Sequence, residues 1–154
     1  MVIDVNGGIN LGLLYEEKLN DYSKAIKWYK KAISMGNLNG GINLGLLYEE
    51  KLKDFERATQ CYENVVKQGN IGAIKNLALL YHSKNYTLKS TGYMFAMIGH
   101  PYTKERVLGL LRDDWKIDES TLKEAYQLQK TLVPNPYFDK EFEDEKPKKK
   151  TGRR

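Results

Sequence analysis

One cysteine and two histidines in 154 residues leave little material for several kinds of chemistry. With Cys61 alone there is no partner for an intrachain disulfide and no second thiolate for a cysteine-based zinc cluster. His82 and His100 do not form a two-histidine helical metal motif or a Cys-His dyad, and no nucleophile elbow surrounds any serine. The Gly7-Gly8 and Gly40-Gly41 pairs do not follow a strand and lack the Lys-Ser/Thr of a phosphate loop. No catalytic residue, metal site, cofactor or small-molecule substrate is therefore expected, and the chain reads as non-enzymatic. Long apolar runs are missing as well. Nothing approaches the ~18 consecutive apolar residues of a membrane span, and Met1-Val-Ile-Asp-Val-Asn lacks the charged and apolar regions of a secretory signal. The expectation is a cytoplasmic protein with no membrane partner.

Charge of one sign is also scarcer than the formal +5 suggests. Residues 1–138 hold 18 Lys or Arg against 15 Asp or Glu, so the body is close to neutral. The rest of the excess lies in residues 139–154, where an acidic run from Asp139 to Glu145 precedes a basic one from Lys146 to Arg154. Such a segment cannot bury enough apolar area to order itself and is expected to be disordered. Its lysines and arginines leave open a regulator that touches nucleic acid through the tail. Lys24, Lys27, Lys30 and Lys31 form a basic stripe, but their counterparts Arg57, Gln60, Glu63 and Asn64 do not keep it. A continuous track for a phosphate backbone is thereby disfavoured.

What is present is repetition. Gly-Gly-Ile-Asn-Leu-Gly-Leu-Leu-Tyr-Glu-Glu-Lys-Leu occurs unchanged at residues 7–19 and 40–52, an offset of 33. Periods of about 20 to 50 residues mark stacked supersecondary units. The offset also pairs Asp21 with Asp54, Ala25 with Ala58, Tyr29 with Tyr62 and Gly36 with Gly69. A worn third copy carries Asn76, Leu77, Ala78, Leu79, Leu80 and Tyr81, then Leu88, Phe95 and Ile98 against Phe55, Tyr62 and Val65.

Each copy reads as two helices. Leu11, Leu14 and Tyr15, then Tyr22, Ala25, Ile26, Tyr29, Ala32 and Ile33, recur at helical spacing. Asp4, Asn37 and Asn70 stand as N-caps of the first helices, with Gly36 and Gly69 as stops before the latter two. Asp21, Asp54 and Thr87 stand as N-caps of the second helices. Gly12 and Gly45 cost about 1 kcal/mol each inside a helix, so close approach of the paired helix is their expected reason. Beyond residue 102, Thr103 to Leu111 reads as helix, Asp113 to Asp118 as a turn, and Glu119 to Leu132 as an amphipathic helix. Its outer Lys123, Glu124, Gln127 and Lys130 suit a solenoid cap, and Pro134 and Pro136 stop it. Tyr137 and Phe138 are expected to dock back on it. The domain expectation is repeats at 4–36, 37–69 and 70–101, capping helices at 102–138, and a tail at 139–154.

Asn-Leu-Gly-Leu-Leu-Tyr, a short turn, Asp-Tyr-Ser-Lys-Ala-Ile-Lys-Trp-Tyr-Lys-Lys-Ala and then Gly-Asn resembles the Sel-one-like repeat, a relative of the tetratricopeptide repeat. The turn after Tyr15 and Tyr48 is shorter than is usual for the Sel-one-like type. The resemblance implies an all-α fold, a right-handed αα-superhelix of about three helix pairs plus a capping unit, and a concave groove for protein partners. It also implies that Asn10, Asn43 and Asn76, one per repeat, face a bound peptide, which a carboxamide suits because it both donates and accepts. Asn6 and Asn39 lie one turn earlier, and Ile9, Leu13, Ile42, Leu46, Lys75 and Leu79 flank the row. Glu16, Glu17, Glu49 and Glu50 read first as a solvated helix face, and alternatively as acid at the groove edge that selects a basic partner. Two readings of the asparagines stay open: groove-facing ligands, or consensus residues bridging neighbouring helices. The function expected is a scaffold or adaptor binding a peptide or protein, with a dedicated inhibitor or immunity-type protein as the alternative and end-to-end self-association as a further option.

Overall fold

A computed structural model describes residues 4–98 and 104–133 of the chain. His100, Thr103, Pro134, Pro136, Tyr137, Phe138 and the charged tail lie outside the described residues. Eight α-helices are found among the described residues: α1 (Val5–Leu13), α2 (Tyr22–Ser34), α3 (Asn39–Leu46), α4 (Phe55–Lys67), α5 (Gly72–Ser83), α6 (Thr87–Ala96), α7 (Lys104–Gly109) and α8 (Glu119–Leu132). None is long and apolar enough to cross a membrane.

The boundaries follow from local chemistry. Asp21 and Asp54 accept from the Lys24 and Arg57 amides, each at 3.0 Å, and so satisfy a donor that the first turn leaves without an intrahelical partner. Asp4 does the same for the Gly7 amide. Asn37 and Asn70 act slightly upstream of the helices they precede, taking the Asn39 and Gly72 amides at 3.1 and 2.8 Å. Gly36 and Gly69 adopt φ of 87° and 90°. Those left-handed residues let Asn37 N donate to Ala32 O and Asn70 N to Val65 O, closing α2 and α4 as Schellman turns.

The first helix of each hairpin does not stop where its α-helical part ends. Leu14–Lys18 and Leu47–Lys51 continue α1 and α3 as π-helical turns, with Leu19 N donating to Leu14 O and Leu52 N to Leu47 O. A π turn holds one residue more than an α turn over the same span. Asn20 and Lys53 then take positive φ, each five residues after Tyr15 or Tyr48, and the chain turns back into the second helix. In the third copy the π turn is missing, and the left-handed residue is Asn85, four residues after Tyr81. The 33-residue offset therefore slips by one. Tyr86 takes the place of Asp54, and Thr87 is the first residue of α6 rather than its cap.

Helices pack in chain order, α1 on α2, α2 on α3, α3 on α4 and α4 on α5, as in an αα-solenoid. The glycines set the distance. A Cβ on Gly12 would lie 2.4 Å from Tyr29 Cε1, and one on Gly45 would lie 2.4 Å from Tyr62 Cε1. Both tyrosines are fully buried, and each ring occupies the space that a side chain at the glycine would need. Gly40 completes the arrangement from the other side, since its Cβ would stand 2.9 Å from Tyr29 O and 3.0 Å from Ala32 Cβ. The helix α2 is thus held between two glycine-bearing helices.

The chain divides into two compact units between Tyr86 and Thr87. Of the expected third repeat at 70–101, α5 falls in the first unit and α6 in the second. Within the second unit α6 packs on α8. Its α7/α8 pair repeats the local plan: a π turn at Leu110–Asp114, positive φ at Lys116, and an N-cap, Asp118, that accepts from the Thr121 amide at 2.9 Å. Leu110 to Asp114 is therefore helical, where the sequence suggested a turn beginning at Asp113. Leu122, Ala125 and Gln129 face inward, and the outer Lys123, Glu124, Gln127 and Lys130 are exposed.

Candidate binding surface

The first helices α1 and α3 carry no charged residue before their π turns, and α5 carries only Lys75 ahead of its last turn. On their outward faces none of the expected site residues is buried. Asn6, Asn10 and Glu17 of the first hairpin are exposed, and Ile9 and Leu13 are half-buried. In the second, Asn39 and Glu50 are exposed, and Ile42, Asn43 and Leu46 are half-buried. From α5, Lys75 and Leu79 are exposed and Asn76 is half-buried. The carboxamides of Asn10, Asn43 and Asn76 hold no hydrogen bond to another residue among those described. Asn6 differs, because its Oδ1 accepts from Asn37 Nδ2 at 3.3 Å and ties the start of α1 to the loop before α3.

The glutamates divide into two pairs. Tyr29 OH donates to Glu16 Oε2 at 2.6 Å, and Tyr62 OH to Glu49 Oε2 at 2.9 Å. Glu16 and Glu49 thus bind the phenols of their own hairpins, which corrects their expected place at the groove edge. Glu17 and Glu50 alone project into solvent there. Burial first, and then the neighbouring carboxylate as hydrogen-bond acceptor, push both phenols far above the ordinary tyrosine range. This latch was legible, since Glu16 and Tyr29 recur together at the 33-residue offset, but periodicity does not say which glutamate of a pair turns inward.

Other features were not read from the sequence. Phe55, Tyr81 and Tyr86 form an aromatic cluster at the loop end of the second hairpin, with centroids 5.8 to 6.1 Å apart. Tyr81 OH also donates to Glu63 at 3.0 Å, joining α5 to α4. A cleft of about 390 Å³ opens between α2 and α4 above α3, with Ile33, Leu44 and Val65 at its apolar side and Lys30, Arg57, Gln60 and Asn64 around it. Cys61 stands in its wall, half-buried, and burial pushes its thiol up to about 11. Such a thiol is a packing residue rather than a nucleophile. No group of three or more potential metal ligands occurs among the described residues.

No curated protein matches the chain. The family model of the tetratricopeptide repeat matches residues 9–35 and 42–68. Each matched span covers most of one glycine-tyrosine hairpin, α1 with α2 and α3 with α4. Residues 9–35 and 42–68 are tetratricopeptide-like repeats within an all-helical fold, a repeat type that suggests a protein–protein interaction module.

Proposed function

We propose that the chain is a non-enzymatic scaffold or adaptor that binds an extended segment of a protein partner along the outward face of α1, α3 and α5. The matching Asn-Leu-Gly-Leu-Leu-Tyr segments support assigning the repeats to the Sel-one-like subtype. One observation carries the binding reading: Asn10, Asn43 and Asn76 stand one per copy, exposed or half-buried, on helix surface that is uncharged in α1 and α3 and carries only Lys75 in α5, with no hydrogen-bond partner among the described residues. A carboxamide that bridged helices within the fold would be paired.

Geometry supports an extended ligand. An extended chain rises about 3.3 Å per residue, so one laid across α1, α3 and α5 presents successive peptide groups to the three asparagines in turn. Each carboxamide–peptide pair contributes about 1 kcal/mol net, and three contribute about 3 kcal/mol, or roughly a hundredfold in affinity. Ile9, Leu13, Ile42, Leu46 and Leu79 supply the apolar floor, while Glu17 and Glu50 favour basic residues at the partner's edge.

The test is affinity capture from the native host with mass spectrometry, comparing wild type, the Asn10→Ala/Asn43→Ala/Asn76→Ala variant and a chain lacking residues 139–154. The expected result is partners held by wild type and the truncated chain but lost by the folded triple variant. Retention by the triple variant would refute the asparagine row. Loss on truncation, with a steep salt dependence, would favour the tail-driven nucleic-acid reading.

A further inference from the structure

The internal duplication gives one helix surface two environments. Residues 7–19 and 40–52 are identical, and both hairpins have another helix packed after them, but among the described residues only the second has one packed before it. Leu47 is 0% exposed and its counterpart Leu14 is 46% exposed. Leu44 and Tyr48 are buried, whereas Leu11 and Tyr15 are only half-buried. The second copy has both α1 and α2 packed against α3 from the preceding hairpin, and among the described residues α1 has no such neighbours. Among the described residues, an apolar surface that is covered by helix in the second copy is therefore left partly exposed on α1.

The residues around that face are basic. In the covered copy, Gln60, Cys61 and Asn64 of α4 line the cleft across from Lys30 of α2. Their counterparts at the offset of 33 are Lys27, Trp28 and Lys31, gathered around a concavity of α2. Lys27 and Lys31 are exposed and have no ion-pair partner among the described residues. Lys24, also at this end, is paired with Asp21 at 3.1 Å and lies over the Tyr15 ring. A helix laid beside Leu11 and Tyr15 as α2 lies beside Leu44 and Tyr48 brings its residue at the position of Lys30 opposite Lys27 and Lys31, with Leu14 on the same turn of α1's extension.

We propose that this end face docks an amphipathic α-helix of a partner protein, with an apolar stripe like that of α2 and an acidic residue at the position of Lys30. The surface is separate from the asparagine row and does not depend on it. A nucleic acid would use the lysines but not the aliphatic floor. A second copy of this chain would bring another basic face against them.

The probe is a fluorescein-labelled peptide of residues 22–35, held helical by a staple on its outward side, with either lysine or glutamate at position 30. Anisotropy titration against the full chain is expected to show the glutamate peptide binding about tenfold tighter than the lysine peptide, as two lysines facing one carboxylate allow. Leu14→Arg and the milder Leu14→Gln should each weaken it at least tenfold with unchanged circular dichroism, since Leu14 is nearly half exposed. The Lys27→Glu/Lys31→Glu variant should reverse the preference in favour of the lysine peptide. Binding that ignores both Leu14 substitutions, or a preference that does not reverse, overturns the proposal. So does a single-stranded oligonucleotide that binds through Lys27 and Lys31 irrespective of Leu14, which would mark a phosphate site. Sedimentation showing a dimer that Leu14→Arg dissociates would assign the face to a second copy and equally overturn it.

Discussion

Replacing Gly45 by alanine adds one methyl group to α3, and the two consequences have opposite signs. Helix propensity improves by about 1 kcal/mol. Against that, the new Cβ would lie 2.4 Å from Tyr62 Cε1 and 2.8 Å from Cδ1, about 1 Å inside ordinary contact. Tyr62 is fully buried and its hydroxyl is anchored on Glu49, so the ring has nowhere to move and the hairpin must open instead. Overpacking of this kind costs about 1–3 kcal/mol. With so large an overlap the upper end applies, leaving Gly45→Ala about 1–2 kcal/mol less stable than wild type. Gly8→Ala is the matched control, because its Cβ would meet Ala32 Cβ at 3.4 Å and Ala32 N at 3.5 Å, ordinary packing distances. That variant should keep most of the propensity gain and be stabilised by about 0.5–1 kcal/mol. Urea unfolding followed by circular dichroism measures both. Removing the ring with Tyr62→Leu should reduce the penalty of Gly45→Ala, giving a coupling of about 1–2 kcal/mol in a double-mutant cycle. A Gly45→Ala protein as stable as the Gly8→Ala protein would refute the glycine-tyrosine fit.

Three further outcomes follow from the same hairpins. Tyr62→Phe removes a buried phenol's hydrogen bond to a carboxylate and should cost about 1–2 kcal/mol in chemical denaturation. Alkaline pH should be destabilising: Tyr29 and Tyr62 keep their protons in the folded chain above the ordinary tyrosine value of 10.0, so the folded state binds more protons than the unfolded one there. Stability is then complete below pH 10 and falls above it, by up to about 1.4 kcal/mol per pH unit for each tyrosine. The Tyr29→Phe/Tyr62→Phe protein should show a visibly flatter decline in melting temperature across that range. Finally, Lys53 holds φ at 56°, so Lys53→Gly should stabilise by up to about 1 kcal/mol, whereas Gly69→Ala, at φ 90°, should destabilise by a similar amount in the same urea assay.

The hairpins were legible because their determinants are local and repeated. Asp21, Asp54, Gly36 and Gly69 declare helix ends by chemistry that does not depend on distant residues, and all four act as the sequence suggests. The small residues at Gly12 and Gly45 pointed to close packing, though not to a tyrosine ring as the surface they meet. What failed was counting. A fixed offset carried Thr87 onto the position of Asp54, because a π turn differs from an α turn by one residue and leaves no periodic trace in a short segment. The same limit hid the third π-turn hairpin at Leu110–Asp114, whose Leu108 and Arg112 share nothing with Gly12 and Glu16. For the binding surface, the family resemblance named residues that are exposed or half-buried, but nothing in the sequence told that Glu16 and Glu49, unlike Glu17 and Glu50, turn to tyrosines. The open end of α1 was invisible in composition, since Leu14 and Leu47 sit in identical sequence and differ only in what covers them.

Site-specific photocrosslinking tests the central claim of recognition along the α1–α3–α5 face most directly. A benzoylphenylalanine placed at Leu46, on that face, should join the captured partner covalently, whereas the same group at Gln60, in the cleft between α2 and α4, should not. Crosslinks from position 60 with none from position 46 would contradict the account.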